Sequence, residues 1–119
     1  MAIVEDNVEI TRLYSLLIAS LGLQLSFVAC DGDAGVKAFR EAARQPDVVL
    51  IDHRMPIKSG LEAMKEMRAL GPATRFIFVS ADADVKDEAL AAGARAFLAK
   101  PASVKEIADA LADVLAAKN

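Results

Sequence analysis

Apolar and polar positions alternate along this chain in a repeating way: a short apolar run, then a segment with helical spacing, five times over. Ala2-Ile3-Val4, Val48-Val49-Leu50-Ile51, Phe76-Ile77-Phe78-Val79 and Ala96-Phe97-Leu98-Ala99 are continuous runs, as expected of strands buried on both faces. The second strand is placed at about Leu23 to Val28. Between the runs, Ile10, Leu13, Tyr14, Leu17, Ile18 and Leu21 predict a helix from about Asn7 to Leu21, with Gly22 ending it. Asp31 to Asp33 supply caps for a second helix carrying Val36 and Phe39, which ends before Pro46. A third helix opens near Gly60, presents Leu61, Met64 and Met67, and stops at Gly71-Pro72. An alanine-rich fourth spans roughly Val85 to Ala92 before Gly93. The last opens on Ser103-Val104-Lys105-Glu106, a capping-box pattern, and buries Ile107, Leu111, Val114 and Leu115. Strands alternating with helices imply an α/β fold, a doubly wound parallel sheet with helices on both faces. The first strand is short, with only Met1 to Val4 ahead of an acidic pair.

Polar residues gain meaning from where the runs end. Asp52 closes the third strand, Glu5-Asp6 the first, Ser80 the fourth and Lys100 the fifth. In an open parallel sheet the carboxyl edge is where ligands bind. Three carboxylates, a hydroxyl and an ammonium therefore converge on one small site. Clustered carboxylates repel, so they take up a proton or a cation. Mg²⁺ suits them as a hard ion that takes oxygen ligands and keeps open positions for a phosphoryl oxygen. Asp52 can then serve as a nucleophile toward phosphorus, with Lys100 and Ser80 stabilising charge on the transferring group. Singly, each residue has a plainer reading: Glu5-Asp6 as charges at a helix N-terminus, Ser80 as a turn residue, Lys100 as solvated surface, Pro101 as a helix opener. Their joint placement carries the inference.

Composition narrows the field. A chain of 119 residues with 55% hydrophobic residues is expected to form one domain over 1–119 and to bury a core without disulfides. A net charge of −3 with no basic stripe argues against direct nucleic-acid contact. Cys30 is the only cysteine and is expected to be a buried thiol at a strand end. No membrane-spanning stretch or signal-peptide pattern is present, so the cytoplasm is the expected compartment, with no membrane partner.

The motifs Val4-Glu5-Asp6-Asn7, Leu50-Ile51-Asp52 with Met55-Pro56 and Gly60, Val79-Ser80-Ala81, and Lys100-Pro101 together resemble the receiver domains of two-component response regulators, over essentially all of the chain. The resemblance implies the flavodoxin-like strand order 2-1-3-4-5. It implies Asp52 as phosphoacceptor, and Mg²⁺ held by Glu5, Asp6, Asp52 and the backbone carbonyl of Arg54, with Asp6 the most direct. It implies Ser80 as the switch hydroxyl, Lys100 as partner of the phosphoryl oxygen, Phe97 as the switch aromatic and a cis bond before Pro101. It also implies a phosphoryl donor that is a sensor histidine kinase, a phosphotransfer protein or a small phosphodonor, and an effector that reads the surface of the fourth helix, fifth strand and fifth helix. Such a domain performs only its own phosphorylation and dephosphorylation.

Some positions depart from that pattern. Arg54 and Asp82 flank the mouth with opposite charges and are expected to pair across it and slow hydrolysis, the plainer reading being two solvated residues. Arg54 on Glu5 or Asp6, competing with Mg²⁺, is the alternative. His53 is expected to be an exposed loop residue rather than a phosphoryl relay. Ala102 stands where many relatives carry Phe, which implies looser packing. Three other readings compete: an interaction module on the same fold that needs no phosphorylation, against which all five site positions are intact; a flavin-binding protein, disfavoured because Glu5-Asp6 would repel a phosphate; and a haloacid-dehalogenase-type phosphatase, which wants an acid where Arg54 stands.

Overall fold

The computed structural model describes residues 1–117. Five parallel strands run β1 (Ala2–Val4), β2 (Phe27–Ala29), β3 (Val48–Ile51), β4 (Arg75–Ser80) and β5 (Ala96–Ala99), in the order β2-β1-β3-β4-β5. The helices are α1 (Val8–Ser20), α2 (Gly32–Glu41), α3 (Gly60–Leu70), α4 (Lys86–Ala91) and α5 (Val104–Ala116). This is the flavodoxin-like doubly wound arrangement.

Alternation along the strands sorts the core into two layers. Val4, Val49, Ile51, Phe76 and Phe78 pack against α2, α3 and α4, where Phe39, Met64, Met67 and Ala89 close the layer. Ile3, Val48, Leu50, Ile77 and Val79 pack against Tyr14 and Ile18 of α1 and Ile107 and Leu111 of α5. Phe39, Phe76 and Phe78 are fully enclosed, and burial of each contributes about 1.5–3 kcal/mol.

Local chemistry sets the element ends that face the site. The Asn7, Asp31, Ser59 and Ser103 side chains each accept from a backbone N–H in the first turn of the following helix. Ser103 and Glu106 complete the expected capping box. Gly22 takes a φ of 73° after α1, the left-handed value that ends a helix cheaply at glycine. A 3₁₀ turn, Ala83–Val85, leads into α4, so this helix is shorter than its sequence pattern.

Several expectations are corrected. β2 spans only Phe27–Ala29, because β1 offers three residues to pair with and the register starts at Ala2 opposite Phe27. Leu23 and Leu25 still pack partly against the α1/α5 layer. Cys30 is exposed. It lies one residue past the end of β2, after Ala29, which packs into the α2/α3 layer, and is exposed as Val28 on that edge strand is. Leu13 and Leu21 are also exposed: Leu13 lies on the flank of the α1 seam, and Leu21 is the C-cap where the chain leaves the helix. Leu115 is half-buried. Ala102 packs partly against the α1/α5 layer. Among the described residues no helix is long and apolar enough to cross a membrane.

Candidate functional site

The parallel register delivers the polar residues together. Val4 pairs with Ile51, and the Asp52 N–H continues the ladder by donating to the Val4 carbonyl at 3.1 Å. Glu5 N–H donates to the Ala29 carbonyl at 3.0 Å, and Lys100 N–H to the Ser80 carbonyl at 3.0 Å. Glu5, Asp52 and Lys100 are thus each the first residue beyond a strand and Ser80 the last within one, and backbone pairing fixes their height at the carboxyl edge.

Glu5, Asp6 and Asp52 each offer a carboxylate oxygen within 4.8 Å of the others. Glu5 and Asp52 are buried, and Asp6 is exposed at the opening. Lys100 Nζ donates to Glu5 Oε1 at 2.7 Å and to Asp52 Oδ2 at 2.9 Å. The remaining oxygens are also held: Asn7 N–H donates to Glu5 Oε2 at 3.1 Å and His53 N–H to Asp52 Oδ1 at 2.7 Å. Three carboxylates against one ammonium leave two negative charges unbalanced. That donor set, all oxygen and doubly negative, fits a hard divalent cation.

The electrostatics agree. Burial pushes the Glu5 carboxyl above its ordinary value and outweighs the lowering by the Lys100 ammonium and the Asn7 N–H; the nearby Asp52 adds to the rise. Burial pulls the Lys100 ammonium down, but hydrogen bonds to Glu5 and Asp52 prevail and its pKa is raised. Tyr14 stands enclosed on α1 within reach of the same charges, and burial pushes its phenol up to about 12.

Ser80 is fully buried, and its Oγ accepts from the Asp82 N–H at 3.1 Å. Arg54 Nε meets Asp82 Oδ2 at 3.3 Å, so Arg54 pairs across the mouth rather than with Glu5 or Asp6. Asp6, His53, Arg54, Met55, Pro56, Ser59 and Asp82 line this opening, a depression of about 490 Å³. Phe97 is half-buried, its ring stacked on Phe78 with centroids 6.4 Å apart. The Lys100-Pro101 bond is cis. His53 is half-buried rather than exposed, with Nδ1 enclosed and without a hydrogen-bond partner. The loop folds back over it through a bond from the Gly60 N–H to the His53 carbonyl.

Sequence reasoning missed the clamp on the loop that follows Asp52. A Cβ at Gly60 would lie 2.0 Å from the Asp52 carbonyl oxygen, and one at Gly32 would lie 2.2 Å from that of Lys58. Lys58 Nζ pairs with Glu66 at 2.5 Å and with Asp33 at 3.7 Å. The one local signal was the bare glycine at each contact.

The family described as response regulator receiver domain matches residues 1–112. The two-component response regulator ORR41 of Oryza sativa subsp. japonica is 37% identical over 115 residues, 92% of this chain and 89% of that protein. The receiver domain of sensor histidine kinase PA1611 from Pseudomonas aeruginosa PAO1, solved with a magnesium ion in its active site cleft, superposes with a TM-score of 0.83 at 28% identity, covering 98% of this chain and 96% of that one. For the fold alone, CheY in a CheX-CheY-BeF3-Mg complex from Borrelia burgdorferi gives a TM-score of 0.91 at 23% identity over 98% of this chain and 88% of that one. The chain belongs to the response regulator receiver domain family of two-component signalling.

Proposed function

We propose that Asp52 is the phosphoacceptor of this receiver domain. The observation that carries the reading is the hold of one ammonium, Lys100, on both Glu5 and Asp52 beside an exposed Asp6. Attack by an Asp52 oxygen on phosphorus forms the acyl phosphate and breaks the donor's bond to phosphorus. Lys100 leaves its two carboxylates to pair with a phosphoryl oxygen. Mg²⁺ held by Glu5, Asp6, Asp52 and the Arg54 carbonyl would supply the charge neutralisation that lets a dianion approach. The donor is a sensor histidine kinase, a phosphotransfer protein or a small phosphodonor.

Ser80 supplies the switch. Turning its hydroxyl toward the phosphoryl group gives up the bond from the Asp82 N–H, which releases the start of the 3₁₀ turn before α4. Phe97, stacked on Phe78 in the layer that also holds Val85 and Ala89, turns into the space vacated. Phosphorylation thereby shifts population toward a second arrangement of the α4-β5-α5 surface, which an effector reads. Incubation with acetyl phosphate and Mg²⁺ tests the reading: one phosphoryl group per chain supports it, and an unchanged mass contradicts it.

The pair of Arg54 with Asp82 spans the opening through which water reaches the acyl phosphate. An exposed pair of this kind is worth about 0–1 kcal/mol, equivalent to roughly a two- to fivefold change in rate at its upper end. Arg54→Ala and Asp82→Ala should each shorten the phosphoryl lifetime by that factor, and the double variant should add little. Equal lifetimes in all four proteins would remove the pair from the account.

A further inference from the structure

Ile57 is the most exposed large hydrophobic residue described, at 82%, and belongs to neither apolar layer. Its φ is 72°, a region that β-branched side chains rarely enter. Lys58 N–H donates across it to the Pro56 carbonyl at 2.8 Å, which makes Ile57 the apex of a left-handed γ-turn. Glycine or asparagine would sit there with less strain, and nothing that Ile57 touches within either core offsets the cost. The conformation persists because its surroundings dictate it. Lys58 is pressed against Gly32 and paired with Glu66 and Asp33, and Gly60 is pinned to His53. The result is an apolar side chain held outward on a rigid loop. Pro56, its neighbour, lines the mouth above Asp52, whose side chain is only 8% exposed.

We propose that Ile57 is a specificity-determining contact for a protein phosphodonor. The donor presents a phosphohistidine to Asp52 and an apolar pocket to Ile57. A donor reaching a recessed carboxylate must rest its bulk on the rim, and a preset apolar anchor there binds without an ordering cost. A small donor such as acetyl phosphate enters without meeting Ile57. The inference rests on Asp52 being the phosphoacceptor.

The experiment compares wild type, Ile57→Gly, Ile57→Asn and, as a remote exposed control, Leu70→Ala. Each is phosphorylated with acetyl phosphate and with every autophosphorylated histidine kinase and phosphotransfer protein of the source organism. Melting temperature and oligomeric state are measured alongside. Uptake from acetyl phosphate should stay within about twofold of wild type in all three variants; failure of wild type on this arm would strike the phosphoacceptor reading instead. For the protein donor that serves wild type fastest, kcat/KM should fall about tenfold or more in Ile57→Gly and Ile57→Asn, through KM, and hold in Leu70→Ala, with no loss of melting temperature. Transfer within twofold of wild type in both Ile57 variants would overturn the proposal. So would the absence of any protein donor for a wild type that accepts from acetyl phosphate, or a change confined to self-association.

Discussion

Lys100→Ala should lower the unfolding free energy at pH 7 by about 2–3 kcal/mol, somewhat under the ~3–5 kcal/mol of a fully enclosed broken pair. The discount reflects the 18% of the lysine side chain that meets solvent. Removal leaves Glu5, 2% exposed, and Asp52 facing each other without their shared ammonium. Glu5 already titrates above its ordinary 4.5 through burial, and losing Lys100 raises it further. A folded-state pKa above the unfolded one means that the folded protein binds more protons in the window between them. Stability then falls as pH rises from 4.5 through the raised value. The variant should therefore sit nearest to wild type at the acid end of that window and furthest at neutral pH. The wild-type ammonium has a raised pKa, so its own contribution is complete below 10.5 and is lost only as pH climbs through the higher folded value. Denaturant unfolding across this range checks both limbs. A loss that is the same at pH 4.5 and pH 7 would mean that Lys100 acts through packing of its stem instead.

Mg²⁺ should stabilise the wild type by about 2.7 kcal/mol at a hundred times its Kd, and Asp6→Ala should weaken its binding by at least about tenfold, or ~1.4 kcal/mol. Asp6 is the exposed member of the acidic trio, so it meets an entering cation with the least desolvation. Two unbalanced negative charges pull the cation in, and removing one carboxylate halves that excess. Tyr14 reports binding without any phosphorylation. It is the only tyrosine in a chain with no tryptophan, and it is enclosed beside the charged site. Titration of its fluorescence with Mg²⁺ should saturate in wild type and shift to higher concentration in Asp6→Ala. Equal midpoints would place the cation elsewhere.

The sequence pattern reached furthest where structure is decided locally or by a buried strand's end. Glu5, Asp52, Ser80 and Lys100 were legible because an apolar run must finish somewhere, and in a parallel sheet all runs finish at one edge. Asp31 and Ser103 announced their helices through capping chemistry that acts within three residues. Cys30 and β2 were misjudged because which face of an edge strand is covered depends on where distant helices lie. His53 was taken as exposed because loop closure by Gly60 onto its carbonyl has no periodic trace. Lys58 and Ile57 were invisible for a related reason. The contacts that fix them join α2, α3 and the loop after β3, and Ile57 runs against the local preference of its own residue type.

The most direct test is to trap the acyl phosphate where it forms. Wild type and Asp52→Ala are incubated with acetyl phosphate and Mg²⁺, reduced with borohydride, which converts an aspartyl phosphate to homoserine, and mapped by tandem mass spectrometry. Homoserine at position 52 in wild type, suppressed by a chelator and missing from Asp52→Ala, is the expected result. Homoserine at Asp6 or at another acid, or none at any position while wild type gains a phosphoryl group, would contradict the assignment of Asp52.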